Sequence, residues 1–325
     1  MTAQPVAAPA AAARSGAWAP PDARRWLQLG LAVLWVLDGV LQYQSFMFTK
    51  AFGQMLAGSS GGNPAFVADP VRWAAAIIAH SPVTTNAAFA TIQLALGLGI
   101  AWRPAVRVAL AASVAWAVAV WWLGEGLGGV LSGSASPVTG APGAVILYAL
   151  LAVLIWPASS PAGPGPFVAA RPLGVAAARS MWVVLWGSLA YFSVTAASRT
   201  AQGLHDMIAG LAGGEPGWLA AVDRGVAGVL ARHGLPASIA LAVVLAAIAA
   251  GIFLPARGAR VAVALAVAVA LVIWVVGQDL GEVLAGNATD VNSGPLLALI
   301  ALAYWPLRRP VPAGPPGRAA EEAAS

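Results

Sequence analysis

The residues of this chain that could do chemistry are acids and amides set inside or at the ends of apolar runs. Asp38 lies about twelve residues into a run beginning at Trp26, and Gln42 follows one helical turn later on the same face. A carboxylate at that depth is costly unless paired, hydrated or protonated, so it marks a place for a cation, a proton or a hydrogen-bonding ligand. Glu125 closes a later run, while Gln278, Asp279 and Glu282 stand at the corresponding end of another. If that helix continues, Asp279 and Glu282 share a face at i, i+3 spacing. Together with Asp290 they make one mouth of the molecule acidic, a field that attracts cations or hydrogen-bonds a polar head group. Asp38, Gln42, Glu125, Gln278, Asp279 and Glu282 therefore form the expected ligand-binding set. The competing reading is structural: Asp38 as a neutral hydrogen-bonding link between helices, and the acids as solvated helix ends.

Other chemistries find less support. His80 and His233 occupy corresponding positions, and His205-Asp206 adds a third imidazole, but the spacing fits no compact zinc or copper motif and leaves the metal question open. None of the three lies at the depth a haem between helices requires. The absence of Cys excludes disulfides, thiolate metal sites and dithiol redox chemistry within the chain. No nucleophile elbow, Walker loop or HExxH sequence is present, so hydrolysis is not supported and no cofactor is assigned. Asn287-Ala288-Thr289 is a glycosylation sequon in a segment expected to be partly buried.

The elements that must position these residues follow from composition. The 325 residues are 60% hydrophobic and 9% charged, with mean hydropathy +0.80, where a soluble domain carries about 25% charge. This is an all-α membrane protein whose first partner is the lipid bilayer. Eight spans are expected, at Trp26–Met47, Thr84–Trp102, Ala105–Leu123, Pro142–Trp156, Met181–Ala197, Pro236–Leu254, Arg260–Val276 and Pro295–Leu307. An even number puts both termini on one side. Placing them in the cytoplasm, in a plasma membrane, leaves 12 Arg inside against 5 Lys or Arg outside. The net charge of +5 is thereby explained by topology, without a nucleic-acid partner. Arg24-Arg25 could open a twin-arginine export signal, but Asp38, Gln42 and Gln44 interrupt the following run and no small-residue cleavage site succeeds it, so the first span is expected to stay uncleaved. Residues 1–25 and 308–325 are expected to be disordered cytoplasmic ends.

The chain also repeats itself. At an offset of 152, Met55-Leu56-Ala57-Gly58 meets Met207-Ile208-Ala209-Gly210, and Arg72 meets Arg224. At an offset of 153, Gly124–Pro142 meets Gly277–Pro295 without a gap, with nine identities in nineteen positions. Two four-span units, 26–157 and 180–307, are expected to be parallel and joined by a cytoplasmic linker over 158–179 rich in Pro, Gly and Ser. The interface between the units is the expected ligand location. Asp38 has no acidic counterpart in the second unit, so one copy is specialised. The fourth and eighth spans are too short for the hydrocarbon depth, and the Gly-rich loops before them, Gly124–Ala141 and Gly277–Gly294, are expected to dip inward and line a cavity. Surface helices are expected after the first span of each unit. In one, Asp69-Pro70 supplies an N-cap and a first-turn proline and Val67, Val71, Ala74 and Ile78 recur at helical spacing; in the other Leu219, Val222, Val226 and Val229 repeat the pattern, with Trp73 and Trp218 as interfacial anchors.

An apolar first span ending in aromatics and Lys50, Ser81-Pro82 before the second span, and Leu94-Ala95-Leu96-Gly97-Leu98-Gly99-Ile100-Ala101-Trp102-Arg103 make each half similar to the DoxX-like four-helix membrane unit. Gln93 stands where that family often carries Glu. The chain also resembles actinobacterial polytopic membrane proteins through its Asp38-Gly39/Leu41-Gln42 span and its Gly124-Glu125-Gly126-Leu127-Gly128-Gly129 loop. The DoxX resemblance implies a quinone-linked redox subunit with a membrane redox partner. The residues themselves point first to an outward-facing acidic pocket for a small molecule or cation, serving transport or an accessory role. A structural or assembly subunit is the third expectation.

Overall fold

The computed structural model describes residues 22–158, 165–195, 200–213 and 215–307. The expected disordered ends fall almost wholly outside these residues. So do Arg14, Arg199, Arg308, Arg309 and Arg318, which enter the charge count across the membrane. The described residues form helices and connecting loops, with no strand among them.

Helix α1 spans Ala23–Leu41, α2 Lys50–Gly58, α3 Ala65–His80, α4 Pro82–Ala101, α5 Val106–Leu123 and α6 Ala144–Leu154. The second half begins with α7 at Val175–Phe192 and α8 at Ala201–Leu211. It continues through the long α9 at Gly217–Gly251, α10 at Ala256–Val276 and α11 at Ser293–Ala303. Among the described residues, five helical stretches are long and apolar enough to cross a membrane: Pro82–Ala101, Arg103–Leu123, Val175–Phe192, Gly217–Gly251 and Ala256–Val276. Helix α1 matches them in length but carries Arg24, Arg25 and Asp38. The large apolar side chains that α1, α5 and α10 turn outward, among them Val33, Val108, Val261 and Val272, suit a lipid environment and would be a liability in water.

Helices α6 and α11 have eleven residues each, about 16 Å of rise, so neither covers the hydrocarbon depth alone. Both are apolar on all sides and almost wholly buried, which is the pattern of a central helix rather than a peripheral one. They pack against each other, and around them the helices follow the same order in each half: α1 on α4, α4 on α5, α5 on α6, then α7 on α9, α9 on α10, α10 on α11. One continuous hydrophobic core includes Leu147, Leu151 and Leu154 from α6 with Leu296, Leu297 and Ile300 from α11.

The segment joining the halves is not a free tether where it is described. Phe167, Val168 and Ala169 are buried, Ala169 N–H donates to the Ala303 carbonyl at 2.9 Å, and Phe167 stacks on Tyr304. The first outer helix also starts earlier than expected. Helix α3 begins at Ala65, and Pro70 sits inside it, while Asp69 pairs with Arg72 instead of capping. In α9 the buried face carries Leu219, Ala220, Asp223 and Ala227, whereas Val222 and Val229 are exposed. Residues His80-Ser81-Pro82 separate α3 from α4, and α9 kinks at His233 shortly before Pro236. In both places proline removes a backbone donor and forces the bend.

Candidate functional site

The loops before the two short helices are built by the same local device. In the first, the Trp121 indole N–H donates to the Pro142 carbonyl at 2.7 Å, and the Glu125 carboxylate accepts from Val145 N–H at 3.1 Å, at the N-terminus of α6. In the second, Trp274 donates to the Val291 carbonyl at 2.8 Å, and Gln278 Oε1 accepts from Gly294 N–H at 3.2 Å, at the N-terminus of α11. Gly128 and Gly281 have φ of +61° and +81°, and a Cβ on either would strike the carbonyl group of Pro142 or Val291. Glu125 and Gln278 therefore do the same structural work, satisfying first-turn donors of a helix. These contacts match Trp121, Glu125 and Gly128 at an offset of 153. They match Pro142 and Val145 at 149, so the second loop is four residues shorter than an ungapped alignment makes it.

Glu125 differs from Gln278 in being able to titrate, and it faces another acid. Its Oε2 has no hydrogen-bond partner among the described residues, and burial, followed by the neighbouring Asp290 carboxylate, pushes its pKa from 4.5 to about 8. Asp38 on α1 is 1% exposed, with Oδ1 unpartnered. It faces Asp290 and the Tyr148 hydroxyl of α6, and Tyr148 stacks on Trp35 with ring centroids 4.2 Å apart. Gln42 donates to the Thr289 carbonyl at 3.1 Å, and Gln44 to the Ala288 carbonyl at 3.2 Å, so α1 and the turn after it grip the loop of the other half. Asp290 holds that loop in shape, accepting from Thr289 Oγ1 at 2.9 Å and from Asn292 N–H at 2.7 Å. Burial also raises its own pKa.

Two hollows meet at this cluster. An aromatic cavity of about 190 Å³ is lined by Trp35, Phe52, Phe89 and Trp116, with Asp38, Gln42, Gln93, Glu125, Thr289 and Asp290 as its polar groups. A wider polar vestibule of about 430 Å³ lies between the two Gly-rich loops and includes Ser59, Asn63, Ser132, Glu282 and Asn287. Glu125, Thr289 and Asp290 line both, forming the wall between them.

The six expected residues are thus divided. Asp38, Gln42 and Glu125 come together at the cavity, Glu282 lines the vestibule, and Gln278 is committed to capping α11 and donating to Ser293 Oγ at 2.8 Å. Asp279, fully buried, turns instead toward Asp223 of α9. All four oxygens of this pair lack hydrogen-bond partners among the described residues. Burial and then the facing Asp223 carboxylate, with Glu215 and Glu282 adding repulsion, raise Asp279 to about 7. The i, i+3 helical face expected for Asp279 and Glu282 does not form, because the chain leaves α10 at Gly277 and turns through positive φ at Asp279, Leu280 and Glu282.

Sequence reasoning left Asp223 unnoticed, although its place four residues after buried Leu219 was a signal. Asp290 was seen only as part of an acidic mouth. Among the described residues the ion pairs are Arg72–Asp69, Arg171–Asp22 and His205–Asp206, none involving these carboxylates. No group of three His, Asp or Glu among them is placed to hold a metal ion, and His80 and His233 are exposed.

No protein-family model, curated protein or solved structure matches this chain. The geometry of the site therefore carries the functional argument.

Proposed function

We propose that this chain is a multi-pass membrane protein of two parallel four-helix units, crossing eight times with both ends cytoplasmic. It binds a small molecule or cation in the aromatic cavity of the first unit, in transport or as a ligand-binding accessory. The repeated packing order of the helices and the shared Trp-loop-cap device support the two-unit reading. The observation that carries the binding reading is the shared wall. Glu125, Thr289 and Asp290 join an outward-facing polar vestibule to an apolar chamber whose acids have no basic partner among the described residues. Burying acids together costs stability, so their retention at a cavity favours a ligand role over helix-to-helix adhesion.

A quinone-linked redox subunit is the second reading, favoured by the unpartnered Trp116 indole N–H at the cavity wall. It would require a membrane redox partner, since the chain has no Cys. Native mass spectrometry of protein extracted in mild detergent tests both. Binding predicts a one-to-one small-molecule adduct, or stabilisation by members of a metabolite panel, that Asp38→Asn removes. A quinone adduct would move the assignment to the redox subunit. Bare protein with no stabilisation by any compound would leave the structural or assembly role.

A further inference from the structure

The cavity is larger than the ~150 Å³ space that holds benzene in an engineered apolar core, and at about 190 Å³ it takes one ring, or an equivalent hydrocarbon body, with a short polar arm. Its body is aromatic, with Trp35, Phe52, Phe89 and Trp116 around it. Its polar end is rich in acceptors. Asp38 Oδ1, Gln42 Oε1, Gln93 Oε1 and Glu125 Oε2 are all buried without a hydrogen-bond partner among the described residues, against one unpartnered donor on the wall, Trp116 Nε1. Gln42 is itself 2% exposed, so its free acceptor points to a group that the protein does not supply.

We propose that the cavity takes a compact organic ammonium ion, a protonated amine on a single-ring or similarly small apolar body. The ammonium group donates to Asp38, Glu125 and Gln42 while the body packs against the aromatic walls. This rests on the binding reading above and names its ligand class. Three considerations select an ammonium ion from the cations. An acceptor-rich end wants several donors on one atom, which –NH₃⁺ provides. Aromatic faces attract a cation and exclude water from it. A divalent metal instead demands six or more oxygens, whereas the described residues offer no three-residue metal set.

The charge balance is explicit. Glu125 is faced by Asp290 from the loop 277–292, with Tyr148 from α6 also within electrostatic reach; Asp38 of α1 and Glu282 of the same loop in turn face Asp290. A protonated Glu125 therefore gives its proton to solvent as the ammonium ion enters, with no bond formed or broken beyond that transfer. Since its pKa is about 8, ammonium affinity rises with pH from 6 to 8.5. An alkylammonium stays charged through this range, because it titrates near 10.

The test is equilibrium binding of tritiated 2-phenylethylamine and cyclohexylamine to the full chain in detergent, with the neutral isosteres 2-phenylethanol and cyclohexanol as competitors. The proposal expects saturable amine binding, tighter than the alcohols by about tenfold or more, as loss of a charge-assisted hydrogen bond implies. It also expects Glu125→Gln and Asp38→Asn each to narrow that preference. Gln at position 125 keeps the helix cap, as Gln278 does in the other half, so loss of the preference is separable from loss of fold. Equal binding of amine and alcohol would overturn the ammonium assignment and leave the binding site standing. Absence of saturable binding for all four compounds would also overturn the ammonium assignment, while the binding reading falls only if native mass spectrometry and the metabolite panel show bare protein as well.

Discussion

At the residue scale the account turns on carboxylates held without cations. Glu125 and Asp279 are raised to about 8 and about 7 by burial and by neighbouring acids, so the folded protein holds protons there that the unfolded chain has released. Stability from this source is complete below the ordinary carboxylate range and is lost as pH climbs through 7 and 8. For Glu125 the displacement from 4.5 amounts to several kcal/mol. The midpoint of thermal unfolding in detergent should therefore fall between pH 5.5 and pH 9. In Glu125→Gln, which keeps the bond to Val145 N–H without the titration, the fall should be shallower. An equally steep profile in the variant would show that Glu125 is not the group responsible.

At the element scale the two Gly-rich loops are held against the N-termini of α6 and α11 through backbone shape. Gly128→Ala adds a Cβ at positive φ against the Pro142 carbonyl, and strain of that kind alone costs about 1–3 kcal/mol. Gly58→Ala, in a helix with open space beside it, should be neutral or slightly stabilising; denaturant or thermal melts of the pair distinguish the loop from a generic glycine effect. Gln42→Ala and Gln44→Ala free the loop at Ala288 and Thr289. Hydrogen exchange should then accelerate at residues 288–292 and stay unchanged in α4 and α5.

These elements also show what was legible beforehand. Asp38 on an apolar helix and the paired Gly-rich loops were readable because burial cost and backbone freedom are local properties. Gln278 looked chemical yet serves as a cap, and Asp223 looked like part of an ordinary surface helix. Which acid meets which depends on how α9 and the loop 277–292 pack, information that spacing does not hold. The start of α3 was misjudged for a related reason: Asp-Pro is a strong local signal, but packing on α2 and α5 extends the helix five residues upstream of Pro70.

At the scale of the whole molecule, residues 35–145 line most of the cavity, and Thr289 and Asp290 from the other half of the chain complete its wall. On the proposed two-unit reading, that division accounts for an acid at position 38 without an acidic counterpart in the second half. The central claim is that an acidic mouth on the outer face leads to the aromatic cavity. Because the chain has no Cys, single cysteines at Ala119 in the cavity and Ser132 in the vestibule can report entry directly. The decisive measurement is their rate of modification, in membranes, by methanethiosulfonate reagents of similar size and opposite charge added from the outer face. The account predicts that both positions react and that at Ala119→Cys the trimethylammonioethyl reagent outruns the sulfonatoethyl reagent by about tenfold or more, a preference that Glu125→Gln with Asp290→Asn reduces. Equal rates for the two charges at Ala119→Cys, or no reaction there while Ser132→Cys is labelled, would contradict it.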